Sequence, residues 1–211
     1  LIVCGGKTDK EFGLNEIKTD GIDAIIAADS GMDFLYENDV TPDIIVGDFD
    51  SATTKALEFF ERKGQTEIRR LNPIKDDTDT EYAIRLAISE GARSIVVLGA
   101  TGSRIDHVLG NISLLGIGLE SGTDISIIDT NNRIRMADKP VTIEKSAQYG
   151  RFVSLIALTD DNEVSLKGFK YPVTDYSFDR FTSLGISNEI VDDHALIDIH
   201  RGKFIIIESK D

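Results

Sequence analysis

The sequence predicts an α/β domain with a parallel sheet, followed by a smaller domain built as an antiparallel β-sandwich. Two observations carry this prediction. Up to about residue 128, short apolar runs are each followed by a turn with Gly or Asp and then by a helical pattern, an order typical of parallel βα units. Beyond Thr130, apolar residues instead alternate with polar ones, which indicates strands with one exposed face.

The predicted parallel strands are short apolar runs, most of them continuous, as expected where helices cover both faces of a sheet. They span residues 1–4, 22–28, 44–46, 68–71, 95–98 and 125–128. The clearest helix is predicted for residues 78–90, because Ala83, Leu86 and Ala87 recur on one face and Gly91 can end it.

The second half contains strands of the alternating kind. Val164 and Leu166 alternate with polar residues, and Ile197 and Ile199 alternate with Leu196, Asp198 and His200. Residues 151–158 and 203–208 also have strand character. Few helical patterns lie between them, so we predict a small sandwich. Asn131 and Asn132 are the best candidates for the linker, and the domains are expected to span residues 1–132 and 133–211.

The charge balance narrows the possible partners. The chain has 23 basic and 37 acidic residues, a formal net charge of −14. A protein with this negative charge repels the phosphate backbone of DNA and RNA, so we expect no binding to nucleic acid. A small anion such as a nucleotide can bind if divalent cations neutralise the carboxylates around its phosphates. Magnesium is therefore expected before any motif is considered.

The cysteine count and the hydropathy indicate where the protein works. Cys4 is the only cysteine, so no intramolecular disulfide can form, which fits a reducing compartment. No basic leader precedes the apolar start, and no stretch approaches the roughly 20 apolar residues of a membrane span. We expect a cytoplasmic protein without a membrane partner.

Three aspartates follow predicted strands, at the edge where open parallel sheets bind ligands. Asp29 follows the second run, while Asp48 and Asp50 lie between the third run and a helix predicted to begin near Ser51. In an extended segment the carboxylates of Asp48 and Asp50 point to one side, which suits Mg²⁺. Because the chain has 24 aspartates, chance alone gives about three such pairs, so the interpretation depends on their position.

A second group of carboxylates, Asp76, Asp77 and Asp79, lies where the predicted helix begins. The helix dipole stabilises carboxylates there, whatever their function. Three carboxylates in four residues also repel one another unless cations offset them. Both interpretations, a helix terminus and a second magnesium-facing cluster, therefore stay open.

The segment GATGSRIDH, residues 99–107, is typical of a phosphate-binding loop. Gly99 and Gly102 free the backbone after a strand, and a helix beginning near Ile105 offers its amides to an anion. The spacing is neither that of a P-loop nor that of a dinucleotide fingerprint. Arg104 can bind phosphate through two hydrogen bonds, or it can form a salt bridge with Asp106.

Four motifs occur in an order similar to that of bacterial thiamine pyrophosphokinases. They are ADSGMDFLYENDVTPDIIVGDFDS, DDTDTEYAI, GATGSRIDHVLGNI and SLGISNEI. The resemblance covers nearly the whole chain, including a last strand with Gly202, Phe204 and Ile207. It implies that residues 1–132 form an α/β nucleotide-binding, catalytic domain for ATP and that residues 133–211 form a thiamine-binding β-sandwich. It also implies Mg²⁺ as cofactor and a homodimer with its active site at the subunit interface.

The resemblance assigns roles residue by residue. The expected Mg²⁺ ligands are Asp48, Asp50 and Asp79, which together with Arg104 and Asp106 form the expected catalytic group. The expected ATP-binding residues are Asp29, Asp76, Gly99, Thr101, Gly102, Arg104 and Asn111. Ser187 and Asn188 match the pair that contacts the aminopyrimidine of thiamine, and the alternative for this pair is an ordinary polar turn.

Two features depart from the family pattern. Ser103 stands where the family usually has a glycine, which affects the backbone path around the phosphates. The chain also has no Trp to stack on thiamine, which leaves Tyr176, Phe178 or Phe181 as candidates for the aromatic wall.

The reaction implied by the resemblance is attack of the thiamine hydroxyl on the β-phosphorus of ATP, with AMP leaving and no covalent enzyme intermediate. Asp79 or Asp106 could accept the hydroxyl proton. A phosphatase with an aspartyl nucleophile is an alternative, because such enzymes also carry an Asp-x-Asp motif after a strand, although usually near the start of the chain. A thiamine or nucleotide sensor without turnover is a third possibility, which the clustered carboxylates disfavour.

Overall fold

The computed structural model describes residues 1–50, 53–72 and 77–211. They form two compact units, Leu1–Thr130 and Asn131–Asp211, here called the N-terminal unit and the C-terminal unit. Ser51 and Asp76, both considered above, lie outside the described residues.

Strands and helices alternate in the N-terminal unit. Its described elements are β1 (Ile2–Val3), α1 (Lys10–Ile17), β2 (Ile26–Ala28), α2 (Gly31–Glu37), β3 (Ile44–Gly47), α3 (Thr54–Lys63), β4 (Glu67–Arg70), α4 (Asp79–Ser89), β5 (Ser94–Leu98), α5 (Ile105–Ser121) and β6 (Asp124–Ile128). The strands pair in parallel in the order β6-β5-β1-β2-β3-β4. The predicted α/β architecture with a parallel sheet is confirmed.

The continuous apolar runs are buried in this unit because helices pack on the sheet. Ala27, Ile45 and Leu98 on the strands have no accessible surface, and neither do Leu35 of α2 and Phe60 of α3. Burial of large apolar side chains such as these contributes about 1.5–3 kcal/mol each. Their burial stabilises the packing of the helices on the sheet.

Two boundaries differ from the prediction by more than two residues. Strand β2 begins at Ile26 rather than at residue 22, because the Ile25 amide donates to the Asp43 carboxylate at 2.7 Å instead of to a neighbouring strand. Helix α3 begins at Thr54 rather than near Ser51. Its N-cap, Thr53, is held by the Asp33 carboxylate, which accepts hydrogen bonds from the Thr53 amide and hydroxyl.

Helix α4 agrees closely with its predicted limits. Its N-cap is Thr78, whose hydroxyl accepts a hydrogen bond from the Glu81 amide at 3.2 Å. Gly91 follows the helix with a φ of 90°, a left-handed conformation that favours glycine. Ala83 and Leu86 are on the buried face, so the helix packs through the residues that its periodicity predicted.

The strand order creates a topological switch at β1. Strands β2, β3 and β4 extend the sheet on one side of β1, whereas β5 and β6 extend it on the other. Open α/β sheets bind ligands at the carboxyl ends of their strands beside such a switch. Helix α5 follows β5, so its N-terminus also lies at this edge.

The C-terminal unit is built from two antiparallel sheets. Its described strands are β7 (Asn132–Ala137), β8 (Val141–Glu144), β9 (Phe152–Ala157), β10 (Glu163–Lys167), β11 (Val173–Ser177), β12 (Asn188–Glu189), β13 (His194–Arg201) and β14 (Phe204–Ser209), with a 3-10 turn at Lys145–Ala147. One sheet has the order β12-β9-β14-β7, and the other has the order β11-β10-β13-β8.

A single apolar core joins these two sheets. It contains Val153 and Phe204 from one sheet and Val164 and Ile197 from the other, all without accessible surface. The alternation of apolar and polar residues therefore corresponds to one face turned inward, and the predicted β-sandwich is confirmed.

A buried ion-pair cluster also stabilises the C-terminal unit. The fully buried Glu208 carboxylate contacts Arg133 at 2.7 Å and Arg135 at 2.8 Å, and it accepts a hydrogen bond from the Tyr149 amide at 2.9 Å. Two cations and an amide thus offset the cost of burying this charge.

Helices with the length and apolar character needed to cross a membrane are absent from the described part of the chain.

Candidate active site

Three carboxylates converge at the carboxyl edge of the parallel sheet. Asp29 follows β2, while Asp48 and Asp50 follow the neighbouring strand β3. One carboxylate oxygen from each residue lies within 4.8 Å of the other two. This is an oxygen donor set of the kind that Mg²⁺ prefers.

Asp29 is the most constrained member of this cluster. Its backbone is left-handed, with a φ of 47°, and its amide donates to the Val46 carbonyl at 2.7 Å. Its Oδ1 atom is buried and has no hydrogen-bond partner among the described residues. A buried carboxylate oxygen without a donor is costly, so the position suits a cation.

The pKa of Asp29 is raised above its ordinary value, chiefly by burial of the carboxyl group. A hydrogen bond from the Ser30 amide opposes this shift, while the charges of Asp79, Asp48 and Asp50 add to it. Repulsion between these carboxylates means that a bound divalent cation would relieve an existing strain.

Asp48 and Asp50 are brought together by a turn and not by an extended segment as predicted. Phe49 between them has a φ of 64°, and the Asp50 amide donates to Asp48 Oδ1 at 3.2 Å. The local spacing is therefore set by a left-handed residue, a conformation rare for bulky side chains. The expected extended segment was therefore wrong, although the carboxylates of Asp48 and Asp50 do lie close together, beside that of Asp29.

Asp79, the third expected metal ligand, is the first residue of α4. It lies near enough to Asp29 for its charge to raise the pKa of that group, but it is not among the three carboxylates within 4.8 Å of one another. The structure brings Asp29 rather than Asp79 to Asp48 and Asp50. Helix-dipole stabilisation of Asp79 fits its position at the N-terminus of α4.

The loop after β5 and helix α5 carry most of the expected nucleotide-binding residues. Gly99 has a φ of 66°, and the position a Cβ would take there is 2.4 Å from the Cys4 carbonyl oxygen, so only glycine fits. Gly102 faces open space. The Thr101 hydroxyl donates to the Asp129 carboxylate at 2.8 Å, and the Asn111 side-chain Nδ2 donates to the Ala100 carbonyl at 2.8 Å. Thr101 and Asn111 therefore hold the loop in shape.

Arg104 and Asp106 form an exposed ion pair at the start of α5. The two hydrogen bonds between them measure 2.6 Å and 3.2 Å, and both side chains are about two-thirds exposed. Arg104 lowers the pKa of Asp106 to about 2. The salt bridge considered as the alternative for Arg104 is thus present, and a phosphate must compete with Asp106 for the guanidinium.

Ser187 and Asn188 differ in their surroundings within the C-terminal unit. Ser187 is exposed and left-handed, with a φ of 59°, and its amide donates to the Ser154 hydroxyl at 3.0 Å. Asn188 is buried, and its side chain bonds both the amide and the carbonyl of Tyr171, at 3.0 and 2.9 Å. Asn188 thus fixes the turn that presents Ser187.

An apolar cavity of about 330 Å³ lies beside this turn in the C-terminal unit. Tyr171, Phe178, Ile186 and Asn188 are among the residues lining it. Of the aromatic candidates for the thiamine site, Phe178 lines the cavity but also packs in the core, and Phe181 is 87% exposed.

Sequence reasoning missed two features of the edge. The Gly5–Gly6 pair follows β1 at the topological switch, and the Gly6 amide donates to the Gly99 carbonyl at 2.9 Å. A glycine pair directly after a strand was the available signal. The partnership of Thr101 with Asp129 had no sequence signal, because the two residues are 28 positions apart.

Comparisons with known proteins agree across both units. A family model described as "Thiamin pyrophosphokinase, catalytic domain" matches residues 18–127, and one described as "Thiamin pyrophosphokinase, vitamin B1 binding domain" matches residues 140–204. The thiamine pyrophosphokinase of Bacillus subtilis (strain 168) is 34% identical over 188 residues, which are 88% of this chain and 87% of that protein.

Solved structures give the same result. A crystal structure of thiamine pyrophosphokinase from Bacillus subtilis matches with a TM-score of 0.89 and 31% identity, covering 100% of this chain and 98% of that one. A thiamin pyrophosphokinase from Geobacillus thermodenitrificans matches with a TM-score of 0.85 and 29% identity, covering 100% and 96%. From these matches over nearly its whole length, the chain belongs to the thiamine pyrophosphokinase family of enzymes.

Proposed function

We propose that the carboxylate cluster of Asp29, Asp48 and Asp50 is the catalytic centre at which this enzyme transfers the pyrophosphoryl group of ATP to the hydroxyl of thiamine. The reaction is that of the family, and the location is our inference. One observation carries it: three carboxylate oxygens within 4.8 Å of one another, one belonging to the strained Asp29, lie at the ligand-binding edge of the sheet.

The donor set fits Mg²⁺. Asp29, Asp48 and Asp50 would hold the ion, with the Asp79 charge adding to the negative potential at Asp29. When bound, Mg²⁺ would neutralise charge on the phosphate oxygens of ATP and orient them. Asp29 is thereby added to Asp48 and Asp50 as a proposed Mg²⁺ ligand, and Asp79 is kept as a further proposed Mg²⁺ ligand.

We assign the phosphates of ATP to the loop after β5 and the start of α5. The backbone of Gly99, Thr101 and Gly102 and the first amides of the helix supply donors, and Asn111 braces the loop. Arg104 would exchange its bond with Asp106 for bonds to phosphate, where it offsets charge that develops during transfer. Asp76 remains a proposed ATP-binding residue.

In the free enzyme Asp106 is poorly suited to accept the proton of the thiamine hydroxyl, because its hydrogen bond with Arg104 lowers its pKa to about 2. Exchange of that bond for phosphate removes this cause, so Asp79 and Asp106 both remain candidates. The main contribution of the protein is positioning of the hydroxyl and the β-phosphorus for direct transfer.

For thiamine, we propose contact through Ser187, with Asn188 as the residue that holds the turn. The exposed Ser187 hydroxyl can reach a ligand, whereas the Asn188 side chain is engaged with Tyr171. We also propose a homodimer with the active site at the subunit interface. Ile105 and Leu109, one helical turn apart on α5, are 66% and 60% exposed, which suits a surface covered by a partner.

The cytoplasm is the proposed compartment, because the chain has one cysteine, the buried Cys4, and needs no disulfide.

The reaction is tested with purified protein, thiamine, ATP and magnesium. We expect AMP and thiamine pyrophosphate in equal amounts, and no product once the metal is chelated. ADP as the main product would contradict the proposal. Orthophosphate with a trapped phosphoryl-aspartate would instead favour the phosphatase, and thiamine binding without ATP consumption would favour the sensor. Light scattering tests the dimer, which a fully active monomer at micromolar concentration would exclude.

A further inference from the structure

Phe49 occupies an unusual position in the carboxylate cluster. It is the residue between Asp48 and Asp50, and its φ of 64° places a bulky side chain in the left-handed region. Such a conformation persists only where surrounding contacts hold it. The contacts that hold Phe49 therefore bear on where the two neighbouring carboxylates point.

One side of the ring packs against the sheet. The position a Cβ would take on Gly47 is 3.2 Å from Phe49 Cε1 and 3.0 Å from the Cα of Asp29. The absence of a side chain at Gly47 lets the ring approach the end of β3 closely. Phe49 also packs against the apolar core of the N-terminal unit.

Arg70 covers the ring. Its guanidinium carbon lies 5.2 Å from the ring centroid, within the range of a cation–π contact. Arg70 stands opposite Gly47 in the register of β3 and β4, and it is bonded to Glu61 of α3 at 2.5 Å. The edge of the Phe49 ring thus packs against Gly47 at the end of β3, and the face of the ring is covered by Arg70, which is paired with Glu61.

We propose that Phe49 and Arg70 are positioning residues for the carboxylates of Asp48 and Asp50. This proposal rests on the proposed function, in which those carboxylates hold Mg²⁺. Fixing the Phe49 ring fixes the turn whose two flanking residues carry the ligands. Arg70 affects metal binding by holding the Phe49 ring in place, and not through the effect of its own charge on the ion.

The direction in which Arg70→Gln changes cation affinity distinguishes a positioning role from a purely electrostatic effect of the Arg70 charge. Removing a positive charge near a cation site strengthens cation binding if the charge acts only through space. Removing a positioning contact weakens binding, because the ligands lose their arrangement. Arg70→Gln therefore has opposite consequences under the two explanations.

The test measures Mn²⁺ binding to the nucleotide-free protein by electron paramagnetic resonance. We expect Arg70→Gln and Phe49→Ala each to weaken binding about 10-fold, and the double variant to be no weaker than Phe49→Ala, since both act through one ring. Phe49→Tyr keeps the ring and should bind as the unaltered chain does. Lys63→Gln is the matched control, because Lys63 covers the Phe59 ring at 5.6 Å without contacting the cluster.

Equal or tighter binding by Arg70→Gln would overturn the proposal, as would additive losses in the double variant. Asp48→Asn and Asp50→Asn distinguish this failure from failure of the proposed function. If they lose Mn²⁺ binding and Arg70→Gln does not, only the positioning role is wrong. If they bind Mn²⁺ normally, the metal site and the positioning role fail together.

Discussion

Carboxylates of the C-terminal unit that are paired with cations contrast with the Asp29 cluster of the N-terminal unit. In the C-terminal unit, Glu208 is fully buried between two arginines, and Glu189 pairs with Arg151 and Lys170. In the N-terminal unit, Asp29 lies beside further carboxylates, and its buried Oδ1 has no hydrogen-bond partner among the described residues. Paired cations offset the cost of burying Glu208, whereas burial of the Asp29 Oδ1 atom without a hydrogen-bond donor among the described residues is costly and indicates a ligand.

The pKa shifts express the same difference. Hydrogen bonds from Lys170 and Arg151 lower the pKa of Glu189, whereas burial and neighbouring carboxylates raise that of Asp29. One site favours the ionised acid and the other disfavours it. The comparison therefore predicts that substitutions at the two places act in opposite directions.

The largest effect on stability is expected at the buried cluster of the C-terminal unit. Glu208→Gln leaves Arg133 and Arg135 without their shared anion, and the free energy of unfolding should fall by about 3 kcal/mol. Urea denaturation measures the loss. Glu163→Gln, at a partly exposed partner of Arg201, should cost less than about 1 kcal/mol. Equal losses in both variants would contradict the role given to burial.

Substitutions in the N-terminal cluster should affect activity instead. Asp48→Asn and Asp50→Asn each remove a ligand charge, and we expect kcat/KM to fall at least about 100-fold, equal to roughly 2.7 kcal/mol. Steady-state rates at several magnesium concentrations give the measurement. Asp160→Asn, at an exposed ion pair of the C-terminal unit, is the control and should retain normal rates. Near-normal rates in the Asp48 and Asp50 variants at saturating magnesium would remove the catalytic role.

The smallest effects concern pH and have opposite signs. Because the pKa of Asp29 is raised above 3.8 in the folded chain, the folded state holds a proton that the unfolded chain has already released between these two pKa values. Ionisation of Asp29 therefore lowers the free energy of unfolding as pH rises from about 3.8 through the folded pKa. Asp29→Asn should raise the melting temperature at pH 7 without metal, and have little effect at low pH. Glu189 has a lowered pKa, so its stabilisation is present above pH 4.5 and is lost as pH falls through the folded pKa.

Glu189→Gln should therefore lower the melting temperature at pH 7 and leave it unchanged in acid. Melting curves from pH 3 to pH 8 in the presence of a chelator compare the two variants. Shifts of the same sign at pH 7 would show that the two carboxylates do not differ as described.

Much of the fold could be predicted because it depends on local patterns. Strands covered on both faces need continuous apolar runs, which gave β3 and β5 nearly to the residue. Thr78 and Gly91 set the limits of α4 through their own cap and turn chemistry. The start of α3 was not predictable, because Thr53 is held by Asp33, 20 residues away.

The site was predictable in its residues more than in its geometry. The ordered motifs indicated Asp29, Asp48 and Asp50, but their grouping depends on β2 and β3 being neighbours in the sheet. The left-handed conformation of Phe49 and the contact of its ring with Arg70 involve residues distant in sequence, so no local pattern reveals them. Such long-range contacts are decided by the assembled sheet.

The most direct test of a cation site at this cluster is the effect of magnesium on melting of the nucleotide-free protein. Magnesium should raise the melting temperature of the unaltered chain, because binding to the folded state alone adds stability. The double variant Asp48→Asn/Asp50→Asn should lose this rise, and its metal-free melting temperature should equal or exceed that of the unaltered chain, since repulsion around Asp29 is relieved. An equal magnesium-induced rise in both proteins would contradict the assignment of the cation to these carboxylates.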